Sequence, residues 1–153
     1  MKNKKIIVLV CIALIFISIL MCFIKKIDVT KYAISNEKIP EEFNGFKIVQ
    51  LSDFHSQGYR DTTERLIDKV KNINPDIIVM TGDMVSWDME DIEEVKILIK
   101  SLSEVYPIYY IDGNHEHLAE ILRPGKYVAF IEFMKELGVT TIKNDYIEIQ
   151  WKN

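Results

Sequence analysis

Aspartate, histidine and asparagine gather at three points in this chain, and each point follows a run of apolar residues. The clusters are Asp53-Phe54-His55, Gly82-Asp83 and Gly113-Asn114-His115-Glu116. Pooled, Asp53, His55, Asp83, Asn114 and His115 offer two carboxylates, two imidazoles and an amide oxygen. Mixed oxygen and nitrogen donors suit Mn²⁺, Zn²⁺ or Fe better than Ca²⁺. Asp53 and His55 are two positions apart, so in an extended segment they point to one side and can hold one ion. Asp83 has two oxygens and can bridge that ion to a second, to which Asn114 presents a neutral oxygen. Two ions about 3.5–4 Å apart activate a water and clamp a phosphoryl group for in-line attack. His115 is then free to protonate the leaving oxygen as a general acid.

Taken singly, these residues are ordinary. Gly-Asp and Gly-Asn are common turn pairs. His117 reads as a surface histidine, Glu116 as a supporting or surface group, and Trp87 as a packed aromatic. The case rests on recurrence: Asp53 precedes Asp83 by thirty positions, and Asp83 precedes Asn114 by thirty-one. One strand–helix–strand unit takes roughly that length. Successive strands of a parallel sheet end on one edge, where α/β proteins bind ligands.

The elements needed to bring the clusters together are legible. Strands are expected at 46–51, 76–80, 107–111 and 139–142, with a fifth beginning over 146–151. The run Asp76-Ile77-Ile78-Val79-Met80 is continuously apolar after its first residue, as in a strand covered on both faces. A helix is expected to open at Asp61, with Glu64 three residues later as a capping-box pair, and to continue through Leu66, Ile67, Val70 and Ile73. Ile92, Val95, Ile99 and Leu102 make a second helical stripe. A third helix starts near Pro124, carries Tyr127, Phe130, Ile131, Met134 and Leu137, and stops at Gly138. The order β-α-β-α-β-α-β-β predicts an α/β domain with a mostly parallel sheet.

Ile6 to Ile24 is uncharged over nineteen residues. As a helix it spans roughly 28 Å, close to the hydrocarbon thickness of a bilayer. Its length, and the lack of small residues near Leu20-Met21-Cys22-Phe23, favour an uncleaved single-pass anchor over a signal peptide. Lys2, Lys4 and Lys5 on a short flank favour a cytoplasmic N-terminus and an extracytoplasmic remainder. Cys11 and Cys22 both fall in this segment, so the remainder can form neither a disulfide nor a thiolate metal site. All twenty-three acidic residues and all but three of the nineteen basic ones lie beyond it, for a net charge of −7. That balance argues against a nucleic-acid binder held by a basic surface.

LSDFH at 51–55, TGDM at 81–84 and GNHE at 113–116 resemble the first three motifs of the calcineurin-like metallophosphoesterases. Phe46 to His55 behind an apolar N-terminal segment is similar to the membrane-attached bacterial branch of that family. The resemblance implies a four-layer α/β/β/α sandwich with two divalent metal ions. It makes Asp53, His55, Asp83 and Asn114 the metal ligands and His115 the catalytic residue. It also implies hydrolysis of a phosphomonoester or phosphodiester, with lipid-linked or nucleotide-sugar-lipid phosphates suggested by the membrane position. The family completes its site with a later lone histidine and a Gly-His-x-His motif, and no histidine follows His117. The expected organisation is therefore a membrane anchor at 1–26, a connector at 27–45 and the N-terminal half of the phosphoesterase domain at 46–153. The competing expectation is a truncated, catalytically inactive membrane protein.

Overall fold

The computed structural model describes residues 27–55 and 60–150. The chain divides into two units, Met1–Ala33 and Ile34–Asn153. Of the first, residues 27–33 are irregular. The apolar stretch 6–24 lies outside the described residues, and among the described residues no helix is long and apolar enough to cross a membrane.

In the second unit a single 3-10 turn, Glu41–Phe43, precedes the first strand. The order is then β1 Ile48–Leu51, α1 Arg60–Ile73, β2 Ile77–Met80, α2 Ile92–Ser103, β3 Ile108–Ile111, α3 Asn114–Leu122, α4 Pro124–Glu136 and β4 Thr140–Ile142. The four strands form one sheet in the order β1-β2-β3-β4. Every pairing is parallel, with Leu51 opposite Met80, Met80 opposite Tyr110 and Tyr110 opposite Thr141.

This order has a geometric consequence. Right-handed crossovers that always step to the next strand place their helices on the same face of the sheet. Alternation along the strands agrees. Val49, Leu51, Ile78, Met80, Ile108 and Tyr110 join the hydrophobic core with Ile67 and Val70 of α1, Leu98, Ile99 and Leu102 of α2, and Tyr127, Phe130 and Met134 of α4. The registered residues between them face the other way. Of these, Ile48 is 56% exposed and Ile111 45% exposed. Each large apolar side chain buried on the helical face contributes roughly 1.5–3 kcal/mol, so this layer alone supplies most of the cohesion. Its centre is the edge-to-face pair Tyr110–Phe130, with ring centroids 6.0 Å apart.

The expected elements form, with two corrections. The segment 146–150 is not a strand. Tyr146 is 78% exposed, and its backbone meets no neighbouring strand among the described residues, without which alternation alone cannot make one. Conversely, the Gly113-Asn114-His115-Glu116 cluster is not a turn followed by loop. Its last three residues are the first turn of α3. The order of the described elements is thus β-α-β-α-β-α-α-β. The expected strands are also trimmed at their starts, as at Phe46-Lys47, whereas Pro124 at the head of α4 and Gly138 beyond its end, at φ 75°, sit as anticipated.

Candidate metal centre

Because all four strands run the same way, the segments after β1, β2 and β3 emerge on one edge of the sheet. Backbone bonds pin the first two together: the Asp53 N–H donates to the Gly82 carbonyl at 3.2 Å and the His55 N–H to the Asp83 carbonyl at 3.4 Å. The second and third touch through glycine. A Cβ on Gly82 would lie 2.5 Å from the Gly113 Cα, and a Cβ on Gly113 would collide with the Asp83 carboxylate and main-chain nitrogen. The two backbones approach this closely because neither residue has a side chain.

The result is a compact donor group. Ligand atoms of His55, Asp83 and His115 all lie within 4.8 Å of one another, each residue half-buried. The Asp83 Oδ2 is 4.0 Å from the His55 Nε2, and the two imidazole rings meet edge to face at 4.4 Å. The Asp83 Oδ1 accepts the His115 backbone N–H at 3.0 Å, so this carboxylate also caps the first turn of α3. The Nδ1 of His115 is buried without a hydrogen-bond partner among the described residues. A buried imidazole nitrogen left unpaired beside a carboxylate and a second imidazole is the donor chemistry a borderline divalent ion satisfies.

Three of the six described non-glycine residues with positive φ lie in these clusters, the others being Asn74, Met89 and Asn144. Asp53, His55 and Asp83 all adopt left-handed conformations, with φ of 53°, 32° and 52°. Such conformations cost about 1–3 kcal/mol each for a residue with a Cβ and persist where the surroundings over-determine them. They also correct the extended-segment reading of Asp53 and His55. The Asp53 carboxylate is not part of the compact group. It is exposed and accepts a hydrogen bond from the Ser52 hydroxyl at 2.5 Å. Asn114 is exposed at the first position of α3, next to His115. His115, the expected proton donor, stands within the same group.

Two further residues support the group, Glu116 in the supporting role the sequence offered for it and Asp112 without such a signal. Glu116, expected at most as a supporting or surface group, is fully buried and accepts hydrogen bonds from the backbone N–H groups of Asp83, Met84, Val85 and Gly113. Its spacing from Gly113, with an acid at the third helical position, was the available signal. Asp112, just before the Gly113 turn, accepts a hydrogen bond from the Tyr127 hydroxyl at 2.6 Å, which ties the turn to α4. Burial pushes the Asp112 carboxyl above its ordinary value, and the Tyr127 bond opposes that rise. Trp87 is 41% exposed, with the Arg123 guanidinium 5.8 Å from its ring centre.

A parallel α/β sheet with acid and imidazole donors converging at its carboxyl edge is an arrangement that could hold a metal ion, and the family match is in keeping with it. Residues 46–152 match the family model described as calcineurin-like phosphoesterase. The chain belongs to that family. It is 35% identical over 129 residues to an uncharacterised metallophosphoesterase of Bacillus subtilis, YkuE, covering 78% of this chain and 42% of the relative. It is 26% identical over 123 residues to an uncharacterised metallophosphoesterase of Aquifex aeolicus, covering 79% and 44%. It is 24% identical over 116 residues to a zebrafish transmembrane protein with metallophosphoesterase domain, covering 74% and 25%. The chain therefore spans between a quarter and less than half of these relatives' lengths. No solved structure gives a significant match.

Proposed function

We propose that the chain carries the N-terminal part of a two-metal phosphoesterase site, with Asp53 and His55 serving one divalent ion, Asp83 both and Asn114 the other. The observation that supports this most strongly is the convergence of donor atoms of His55, Asp83 and His115 within 4.8 Å of one another at the carboxyl edge of the sheet, alongside a buried, unpaired Nδ1 on His115. When bound, such ions supply an activated water and neutralise the charge of a phosphate ester. The chain's own residues do the rest. Asp83 and Asn114, on adjoining turns, set the spacing of the donors. His115, oriented through its backbone bond to Asp83, is the group placed to give a proton to the leaving oxygen.

On this reading the sheet face opposite the helices, where Ile48 and Ile111 are half exposed although Ile77 is buried, is where the second sheet of a four-layer sandwich packs in the longer protein. The stretch 6–24 anchors that protein in a membrane as a single pass, with the hydrolase domain extracytoplasmic. The naming of the zebrafish and cattle relatives as transmembrane proteins supports this. A phosphate ester at the membrane surface, including a lipid-linked or nucleotide-sugar-lipid phosphate, is then within reach. The net negative charge continues to argue against nucleic acid. A second reading has its own support: three donors within 4.8 Å suffice to hold one ion without turnover, which describes a metal-binding but catalytically inactive product.

Calorimetric titration of inorganic phosphate into the 153-residue chain tests the proposal. Binding is expected with Mn²⁺ present, to vanish with EDTA, and to vanish in Asp83→Asn. Hydrolysis of bis(4-nitrophenyl) phosphate by the chain alone is expected to stay near the EDTA background. Phosphate binding that ignores Mn²⁺ would overturn the metal-phosphate assignment. Robust Mn²⁺-dependent turnover lost in His115→Ala would overturn the part-site description.

A further inference from the structure

We infer that Glu116 is a positioning residue for this centre, one that holds metal-site backbone without touching metal or substrate. The inference rests on the metal-site reading above and goes beyond the ligand set. Glu116 is 0% exposed, and its carboxylate sits behind the donor group. Oε1 accepts the N–H groups of Met84 at 2.7 Å and Val85 at 3.1 Å, and Oε2 those of Asp83 at 2.8 Å and Gly113 at 2.9 Å. An ionised carboxylate has two oxygens with about four acceptor sites and no donor. Here four donors meet four sites, two on each oxygen.

Three of these donors belong to the segment after β2, and the fourth is the turn after β3. One buried side chain thus joins the loop carrying Asp83 to the turn carrying Asn114 and His115. The join is reciprocal, since the Asp83 carboxylate accepts from the His115 N–H across the same gap. It also explains how Asp83 persists at a φ of 52°, because its N–H is tied to a group that cannot shift. The positive end of the α3 dipole favours both carboxylates where they stand. Glutamine would fill the same volume with one acceptor oxygen and would turn an NH₂ toward backbone N–H donors. At least two of the four bonds would be lost while the core stayed filled.

The test compares the full 153-residue chain with Glu116→Gln and with Leu102→Ala, a core substitution on α2 remote from the centre. The Mn²⁺ dissociation constant, read by electron paramagnetic resonance at a temperature where all three are folded, is expected to rise about tenfold or more in Glu116→Gln, the scale on which groups supporting ligands act. It should stay unchanged in Leu102→Ala despite that variant's lower melting temperature. Independently of metal, exchange of the amide hydrogens of Asp83, Met84, Val85 and Gly113 should accelerate in Glu116→Gln, while those of α2 stay protected. Unchanged exchange at those four amides, or Mn²⁺ affinity equal to the parent, would overturn the assignment. If the parent chain bound no Mn²⁺, the metal-site reading would fall, and amide exchange alone would decide whether Glu116 clamps the two segments.

Discussion

Gly82→Ala is expected to destabilise the domain by about 2–6 kcal/mol, measured by urea unfolding of the chain. Two independent costs add. Gly82 sits at φ 92°, where a residue with a Cβ carries roughly 1–3 kcal/mol of strain. The new methyl would also fall 2.5 Å from the Gly113 Cα and 2.6 Å from its nitrogen, both backbone atoms that cannot rotate away. Forcing an extra carbon into a close-packed place costs typically 1–3 kcal/mol more. Relief comes only from parting the segments after β2 and β3, and that would pull Asp83 away from His115. The variant should therefore lose divalent-ion affinity even when enough of it remains folded to measure. A Gly82→Ala chain with parental stability and parental Mn²⁺ affinity would show that the close approach is not needed.

Phe130→Ala is expected to cost about 3–5 kcal/mol, the usual range for removing a fully buried phenylalanine. Phe130 is 0% exposed on α4 and meets Tyr110 of β3 edge to face. Among the described residues the helices cover one face of the sheet, and the hydrophobic cluster there is the core that Phe130 belongs to. β4 has only three residues, and α4 packs against it, while Phe130 of α4 meets Tyr110 of β3. The loss should appear as a lower urea midpoint, with protection lost first from amides of α4 and β4. A loss under about 1 kcal/mol would mean that the site collapses around the cavity, contrary to the close packing described.

How far the sequence carries the structure depends on what each residue needs from its neighbours. The strands at Ile77–Met80 and Ile108–Ile111 were legible because a short β-branched or aromatic run between punctuating residues is locally sufficient. The same held for the stripe Val95-Ile99-Leu102 in α2. Equal spacing then implied parallel strands ending on one edge, and the chain does bring His55, Asp83 and His115 together there. The fifth strand failed for the complementary reason. Alternation in Tyr146-Ile147-Glu148-Ile149 says which side chains could share a face, but pairing is supplied by another segment. α3 was missed because Gly-Asn reads as a turn: the local bond from the Gly113 N–H to Glu116 is legible as a capping spacing, but the cap that Asp83 places on the His115 N–H comes from thirty-two residues away. Nor could spacing reveal the left-handed backbone at Asp53 and His55. Those conformations are held by the Gly82 and Asp83 carbonyls, 29 and 28 residues further along the chain.

Titration of Mn²⁺ into the 153-residue chain, followed by electron paramagnetic resonance, bears most directly on whether these residues form a metal centre. Saturable binding of at least one ion is expected, abolished in Asp83→Asn, weakened in His55→Ala and His115→Ala, and unaffected in His117→Ala, whose imidazole is 67% exposed beside Glu120. Binding that survived loss of Asp83, or no binding by a folded parent chain, would contradict the account.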